Sequence, residues 1–239
     1  MRGPYGFEMT EDCESCGLRA ASFFCQLTAP ALKDFNAVRT SATYPVGAVL
    51  YLEKQDPRGV FVLCAGEVKL SISSSAGKTL ILRIAKPGEI LGLMAVLANT
   101  PYEVTAETLH PCQLAFIRSD DFLRLLAKHP EMHQGVVKQL TTLYNGACEQ
   151  LRTVGLSASV PEKVARLLLL DWAAEGKLTK AGTQIKLPLT HEEIAAFVGT
   201  TRETVTRTLG EFKNKHLVVL QGSTLTIADR TALECIGGM

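Results

Sequence analysis

The chain has 239 residues, of which 46% are hydrophobic and 21% are charged, and its formal net charge is +1. This composition predicts a globular protein with a sizeable core, and it argues against a disordered chain or a uniformly basic, polyanion-binding surface. No apolar stretch approaches the roughly 20 residues that a membrane span requires, and the N-terminus lacks the pattern of a secretory signal. We therefore expect a cytoplasmic protein with no membrane partner, whose seven cysteines are free thiols or metal ligands rather than disulfides.

Residues 1–30 form a cysteine-rich segment, in which Cys13, Cys16 and Cys25 follow the spacing C-x2-C-x8-C. Thiolates are ligands of zinc and of iron–sulfur clusters. Taken alone, the residues leave three alternatives: a metal or cluster site, reactive thiols, or small buried side chains.

Residues 31–129 are predicted to be a domain of antiparallel strands. Short apolar runs such as GVFVLCAG, EVKLSISSS, KTLILRIA, EILGLMAV and CQLAFI are separated by glycine or proline turns. Several runs alternate with period 2, as in Val68, Leu70 and Ile72. Because no helix-length segment lies between the runs, the pattern favours a β-roll or barrel over a parallel α/β sheet.

Residues 130–156 are predicted to be a long helix, after a short helix from Ser119 to Lys128 and a break at His129 and Pro130. An apolar stripe with steps of three and four residues is typical of a coiled-coil seam and indicates a homodimer. The other possibility is that this stripe packs on the chain's own β-domain. The predicted seam consists of Val136, Leu140, Leu143, Ala147, Leu151 and Val154.

Residues 157–239 are predicted to be a winged helix-turn-helix domain, connected by a small-residue hinge at 155–159. We expect capping boxes at Thr190 with Glu193 and at Thr200 with Glu203, one at the start of each of two helices. A glycine turn separates these helices, and a hairpin around Gly222 follows as the wing.

The outward side chains of the second helix suggest sequence-specific DNA binding. Residues at the start of a recognition helix read base edges, and arginine suits guanine whereas glutamate suits cytosine. The alternative is that these side chains form a solvent-exposed helix face with no binding role. The predicted base contacts are Arg202, Glu203, Thr206 and Arg207, and the predicted contacts to the DNA backbone are Thr190, Thr201, Lys213 and Lys215.

Over nearly its full length the chain resembles the CRP/FNR superfamily of bacterial transcription regulators. The resemblance is carried by YPVGAVLY, GVFVLCAGEVKLS and PGEILG in the β-roll and by TRETVTRTLGEF in the C-terminal domain. It implies an α+β fold and a homodimer that binds palindromic double-stranded DNA. It further implies contacts with RNA polymerase, and a ligand or cofactor in the N-terminal domain. By position, Arg202, Glu203 and Arg207 match base-reading residues of the family, and Thr206 replaces a base-reading serine of the FNR branch, which implies a TGA core in the half-site.

The ligand residues of the cyclic-nucleotide branch are missing. In that branch, a glutamate after the cassette glycine binds the ribose, and an Arg-Ser pair about ten residues later binds the phosphate. Here Leu93 follows Gly92, and Glu103 and Val104 stand at the later pair. Since a buried phosphate would lack its charge-assisted partner, cAMP is not expected to be the ligand.

The FNR branch offers a different cofactor, since it combines an N-terminal cysteine cluster with one cysteine in the last strand region of the roll. By this resemblance Cys13, Cys16, Cys25 and Cys112 would hold a [4Fe–4S] cluster sensitive to oxygen or nitric oxide. The x8 spacing is longer than the x5 of the best-known FNR pattern, and four thiolates could equally hold zinc. Cys64 and Cys148 are interpreted as core residues.

Two other classes of function compete with this interpretation. The first is a regulator of the same fold without a cluster, gated by a small molecule in the β-roll or by thiol redox state. The second is an enzyme or a metal-storage protein, which we do not expect, because the five histidines are scattered. Of these, His129 and His133 are interpreted as solvated.

Overall fold

The computed structural model describes residues 4–6, 13–21, 25–156, 159–173 and 176–239. The chain divides into two compact units, the first comprising residues 1–74 and 82–146 and the second comprising residues 75–81 and 147–239. None of the helices in these described ranges is long and apolar enough to cross a bilayer.

The first unit is built on two antiparallel four-stranded sheets, which confirms the predicted antiparallel β-roll. Their strands are ordered β1-β8-β3-β6 and β2-β7-β4-β5. The strands are β1 (Thr40–Tyr44), β2 (Val49–Tyr51), β3 (Gly59–Ala65), β4 (Val68–Ser73), β5 (Thr79–Ala85), β6 (Ile90–Leu91), β7 (Thr105–Thr108) and β8 (Cys112–Arg118).

Among the residues that the structure describes, five α-helices accompany these strands, and they begin before the roll and continue after it. A single 3-10 turn, Pro4–Gly6, precedes them. The helices are α1 (Leu18–Ala21), α2 (Ala29–Val38), α3 (Leu93–Ala98), α4 (Ser119–Lys128) and α5 (Met132–Leu151). The short helix and the long helix predicted after the roll are thus both present, whereas α1, α2 and α3 were not predicted.

The prediction of one strand over EILGLMAV is wrong. The strand β6 ends at Leu91, Gly92 adopts a left-handed conformation with φ 75°, and α3 begins at Leu93. An added Cβ at Gly92 would meet the Tyr102 ring at 2.7 Å, so the turn requires glycine. A continuous apolar run does not distinguish a strand from a buried helix turn.

The sheet β1-β8-β3-β6 has a separate buried cluster on each face. Alternate residues of β3 and β8 point to opposite faces. Val62 and Ala115 face a cluster with α2, α4 and the start of α5. Leu63 and Leu114 face a second cluster shared with the other sheet. The face to which a side chain of β3 or β8 belongs is therefore fixed by its position in the strand.

A buried glutamine of α5, Gln139, forms hydrogen bonds with β6, the edge strand of the first sheet. The Gln139 amide donates from Nε2 to the Ile90 carbonyl at 2.7 Å, and the Ile90 N–H donates to Gln139 Oε1 at 3.0 Å. Both backbone polar groups of Ile90, the first residue of β6, are thus satisfied by one side chain of the helix.

In its described residues, the second unit contains one antiparallel sheet of order β11-β12-β10-β9 and four α-helices. The strands are β9 (Lys177–Thr179), β10 (Gly182–Lys186), β11 (Val218–Gln221) and β12 (Thr224–Ile227), and the helices are α6 (Val160–Arg166), α7 (His191–Val198), α8 (Arg202–Asn214) and α9 (Arg230–Gly237). The elements β9 and α9 were not predicted. Two π-helical segments, Arg152–Leu156 and Leu167–Trp172, follow α5 and α6, and residues 157 and 158 of the predicted hinge lie outside the described residues.

Candidate functional site

The helices α7 and α8 form a helix-turn-helix that begins with a complete capping box. Thr190 Oγ1 accepts a hydrogen bond from the Glu193 N–H, and the Glu193 carboxylate accepts one from the Thr190 N–H at 3.0 Å. At the other end, Gly199 caps the helix in a left-handed conformation with φ 72°. The prediction for this first helix is therefore confirmed.

The start of α8 lies one residue later than the predicted box. Thr201, rather than Thr200, is the N-cap, and its hydroxyl accepts from the Thr204 N–H. The Thr200 N–H instead closes the end of α7 on the Ala195 carbonyl. The second box with Thr200 and Glu203 is wrong for this reason, although the helix itself is where the pattern placed it.

The four predicted base contacts share the exposed side of α8. Arg202, Glu203, Thr206 and Arg207 are all exposed, whereas Val205, Thr208, Leu209 and Phe212 are buried against the rest of the unit. This division leaves the first two turns of α8 accessible along one face, as a helix that enters the major groove requires.

The four residues predicted to contact the DNA backbone are also exposed. Two of them are threonines whose hydroxyls already form hydrogen bonds within the protein. The hydroxyls of Thr190 and Thr201 serve as helix caps, and Thr190 Oγ1 also donates to the Glu193 carboxylate at 2.9 Å. Within the described ranges, no ion pair is formed by any of the four cations of α8 and its C-cap, which are Arg202, Arg207, Lys213 and Lys215. These cations can reach phosphates without first breaking an internal pair.

One residue of this surface was missed by sequence reasoning. The half-buried His191, the first residue of α7, lies with Nδ1 2.9 Å from Thr206 Oγ1. Since the Thr206 hydroxyl donates to the Arg202 carbonyl at 3.0 Å, it can only accept from an N–H of His191. The contact orients a predicted base-reading side chain, and its spacing of 15 residues carries no local sequence signal.

Three N-terminal cysteines meet at a cavity of the first unit, and a fourth cysteine completes its lining. Cys13, Cys16 and Cys25 lie beside Cys64 of β3. The walls also include apolar residues and two arginines, Leu18, Leu27, Leu32, Phe35, Val62, Arg19 and Arg39. The cavity is small, about 30 Å³. The structure thus brings together the three predicted N-terminal ligands, with Cys64 rather than Cys112.

Burial is the main cause of the raised pKa of the Cys64 thiol. Burial, and then the charges of Cys13 and Cys25, raise the pKa of the Cys64 thiol to about 12. The Arg39 guanidinium opposes this shift. A cationic metal centre beside Cys64 would oppose this upward shift, because a thiol binds a metal as the thiolate.

Cys112 has a different environment. Its side chain is fully buried in the cluster between the two sheets, and Sγ lies 3.2 Å from the Glu67 carbonyl and 3.1 Å from the His110 carbonyl. Burial raises the pKa of Cys112 to about 11. The structure does not bring this predicted ligand together with the other three.

The fit of these thiols to a metal differs between a single ion and a cluster. In the part of the chain that the structure describes, no three His, Cys, Asp or Glu side chains converge closely enough to bind one metal ion. The four sulfurs line one cavity. Four thiolates are nevertheless the donor set of a [4Fe–4S] cluster, whose ligand sulfurs lie farther apart than those around one zinc ion.

A polar network joins the N-terminal segment to the start of α5. The Thr28 hydroxyl donates to Glu131 at 2.9 Å, and His129 Nε2 lies 2.6 Å from the Asp34 carboxylate. A hydrogen bond from Lys128, and then one from His129, lower the pKa of Asp34. His129 is only 7% exposed, so its interpretation as a solvated residue is wrong, whereas His133 is exposed.

The positions that bind a cyclic nucleotide in the family carry no cation here. Leu93 is buried in the core, and Glu103 is an exposed acid. A separate open cavity of about 820 Å³ lies beside the stacked rings of Tyr51 and Tyr102, whose centroids are 4.0 Å apart, and its rim includes Lys54 and Arg58.

The long helix α5 leaves a regular apolar stripe exposed. Val137, Tyr144 and Leu151 are 59%, 71% and 71% exposed and recur every seven residues. Of the six predicted seam residues, Val136 is buried in the first unit's core, Leu140, Leu143 and Val154 are half-buried, and Ala147 and Leu151 are exposed. Val136 therefore packs on its own domain.

Comparison with known proteins identifies both domains. Residues 42–129 match the cyclic nucleotide-binding domain family, and residues 162–236 match the Crp-like helix-turn-helix domain family.

The similarity to known relatives extends over almost the whole chain. A CRP-like cAMP-activated global transcriptional regulator of Mycobacterium tuberculosis is 24% identical over 90% of this chain and 96% of its own length. The transcriptional activatory protein AadR of Rhodopseudomonas palustris is 25% identical over 94% of this chain and 92% of its own length.

Among solved structures, a CooA mutant from Carboxydothermus hydrogenoformans has the same fold, with a TM-score of 0.74 and 21% identity over 96% of this chain and 98% of that one. The relatives are transcription regulators and not enzymes. With both domains matched in this order, the chain belongs to the CRP/FNR family of DNA-binding transcription regulators.

Proposed function

We propose that this protein is a homodimeric, sequence-specific regulator whose binding to a palindromic operator is controlled by a [4Fe–4S] cluster in the N-terminal cavity. Contacts of the bound dimer with RNA polymerase are expected, as for the family. The observation that carries the sensing half of this proposal is the meeting of Cys13, Cys16 and Cys25 at one cavity.

The exposed start of α8 supports the DNA-reading half. Arg202 and Arg207 can each make bidentate contacts to guanine O6 and N7, and Glu203 can accept from cytosine N4. Lys213 and Lys215 follow at the end of the helix, where they can contact phosphates. The hydroxyl of Thr206, held by His191, completes the set of side chains available to base edges.

The apolar stripe of α5 supports the homodimer. Val137, Tyr144 and Leu151 would meet their equivalents in a second copy with the heptad spacing of a parallel coiled coil. Two copies related by a two-fold axis would present two α8 helices to half-sites one helical turn apart, roughly 34 Å. Such a dimer reads an inverted repeat.

The N-terminal cavity has the residues that a cluster requires. Its sulfurs supply the ligands, its apolar walls limit solvent access, and Arg19 and Arg39 offset negative charge. A bound [4Fe–4S] cluster would supply a redox-active centre that oxygen or nitric oxide can attack, which zinc would not. Because the cavity is small, the N-terminal segment must shift away from β3 to admit a cluster.

The polar network provides a route from that segment to the dimer helix. A shift of residues 25–28 changes the Thr28–Glu131 hydrogen bond, and a shift of α2 changes the contact between Asp34 and His129. Both contacts lie at the start of α5. The position of the cysteine segment therefore biases the position of the helix that pairs the two copies.

The proposal is tested by operator selection without oxygen. Protein isolated anaerobically is used to select duplexes from a random library, and the affinity for the selected duplex is measured by fluorescence anisotropy before and after exposure to air. We expect an inverted repeat containing TGA, bound by a dimer, with an affinity that falls at least tenfold in air. Equal affinity before and after air would refute control by the cluster but not DNA reading.

Dimerisation is tested separately by a matched pair of variants. Tyr144→Glu places a charge on the exposed stripe, whereas Thr142→Glu places it on the same helix away from the stripe. Sedimentation should show a monomer for the first variant and a dimer for the second. A dimeric Tyr144→Glu protein would refute this seam.

The open cavity beside Tyr51 and Tyr102 favours a second candidate, a regulator gated by a small molecule in the β-roll. Its aromatic wall and its two cations, Lys54 and Arg58, which outnumber the single lining acid Asp56, suit an aromatic or anionic effector. A thermal shift of cluster-free protein on addition of a nucleotide or an aromatic acid would support this candidate. If thiol redox state were the signal, operator binding by the metal-free protein would instead remain sensitive to oxidants.

A further inference from the structure

A fourth cysteine lies where the predicted ligand Cys112 does not. Cys64 of β3 lines the same cavity as Cys13, Cys16 and Cys25, and it is half-buried rather than enclosed. Both Cys13 and Cys64 pack against the cluster formed by α2, β3 and β8. Three sulfurs of the N-terminal segment thus face one sulfur of the sheet.

Strand alternation separates Cys64 from Cys112. Cys64 follows Val62 by two residues and shares its face of the sheet, which α2 covers. Cys112 precedes Leu114 by two residues and shares the opposite face, in the cluster between the sheets. The two thiols therefore lie on opposite sides of one sheet, and only the side of Cys64 carries the N-terminal cysteines.

The surroundings of Cys112 also exclude it from the cavity. Its Sγ is within hydrogen-bonding distance of the Glu67 and His110 carbonyls, and it is fully buried. The sulfur lies directly against the backbone of the turn between β3 and β4, because a Cβ added at Gly66 in that turn would meet Cys112 Sγ at 2.6 Å. Cys112 fills the core beneath this turn as a small side chain.

We propose that Cys64, and not Cys112, is the fourth sulfur ligand of the [4Fe–4S] cluster, together with Cys13, Cys16 and Cys25. The assignment rests on the proposed function. It ties the cysteine segment to β3, an inner strand that pairs with both β8 and β6. Because Gln139 binds β6 to α5, the cluster is linked to the dimer helix through the sheet as well as through the N-terminal segment.

Three full-length serine variants test the assignment. Cys64→Ser removes the proposed ligand, Cys112→Ser removes the enclosed thiol while keeping a hydroxyl for the same carbonyls, and Cys148→Ser is a control on α5. Each is reconstituted without oxygen with ferrous iron and sulfide, and its iron and acid-labile sulfide are measured. Circular dichroism checks the fold of each variant.

We expect about four irons per chain in the wild type, Cys112→Ser and Cys148→Ser, and at most a quarter of that content in Cys64→Ser. Full iron in Cys64→Ser, or loss of iron in a folded Cys112→Ser, would overturn the assignment of Cys64 and leave the proposed function standing. A wild-type protein that takes up no iron and sulfide would overturn the proposed function and this assignment with it.

Alkylation of the wild-type protein keeps the assignment testable if Cys64→Ser does not fold. Reconstituted and cluster-free protein are treated with iodoacetamide, and the modified cysteines are identified by mass spectrometry. We expect reconstitution to protect Cys64 at least fivefold together with the three N-terminal cysteines, while modification of Cys112 does not change. Equal alkylation of Cys64 in both samples would overturn the assignment.

Discussion

The substitution Gln139→Leu tests how firmly the dimer helix is held to the β-roll. The amide of Gln139 satisfies both the N–H and the C=O of Ile90 at 3.0 and 2.7 Å. Leucine keeps a similar volume but leaves both backbone groups without this partner. A buried polar group that loses its hydrogen bond costs about 1–3 kcal/mol, so the two groups together predict a loss of roughly 2–6 kcal/mol in the free energy of unfolding.

The assay is urea unfolding of the full-length protein followed by far-UV circular dichroism. The matched control is Gln134→Leu, which changes an exposed glutamine of the same helix and should shift the free energy by at most about 0.5 kcal/mol. Trp172 is the only tryptophan and lies in the second unit, so its fluorescence follows that unit separately. A loss below about 1 kcal/mol for Gln139→Leu would refute the reasoning.

Three further predictions concern the recognition helix, a cap and a carboxylate. Arg207→Ala should weaken specific DNA binding by about 1–3 kcal/mol and relax the preference at one base position. Competition with single-base variants of the operator measures this preference, with Arg230→Ala on α9 as the control. An unchanged base preference would contradict the assignment of α8 as the recognition helix. Thr201→Ala should lower thermal stability by about 0.5–2 kcal/mol while Thr200→Ala has little effect; the reverse order would place the cap at the residue that the sequence indicated. The lowered pKa of Asp34 contributes stability above the ordinary carboxylate pKa, and this stability is lost as the pH falls through the lower, folded value. The free energy of unfolding of Asp34→Asn should therefore decrease less than that of the wild type between neutral pH and about pH 3. An equal decrease in both proteins would exclude this carboxylate as a cause.

The β-roll was predictable because its strands alternate with period 2 and are separated by glycine turns. Where an apolar run is continuous, as at Ile90 to Val96, alternation gives no information, and the left-handed turn at Gly92 decides between strand and helix. The recognition helix was predicted to within one residue, because caps and glycine turns are local signals.

The candidate sensor site depended on tertiary contacts that sequence spacing does not contain. Alternation shows that Cys64 and Val62 share a face of β3, but not that α2 and the N-terminal cysteines cover this face. The burial of His129 between Asp34 and Glu131 depends in the same way on α2. The sequence could not show that Val136 is buried while Val137 is exposed, because both are apolar residues at neighbouring positions of the same helix.

The DNA-reading surface required less tertiary information. The buried residues Val205 and Leu209 define the inner face of α8, so the outer face with Arg202 and Arg207 follows from helical periodicity alone. Only the contact between His191 and Thr206, which joins two helices, needed the structure.

Control of operator binding by a sulfur-bound cluster is tested most directly by two quantities measured on one oxygen-free preparation. Iron and acid-labile sulfide are determined in the same sample whose operator affinity and sedimentation are measured, before and after air. We predict about four irons per chain and a dimer that binds its operator, followed in air by parallel loss of iron and of affinity. Metal-free protein that binds the operator tightly as a dimer would contradict the account.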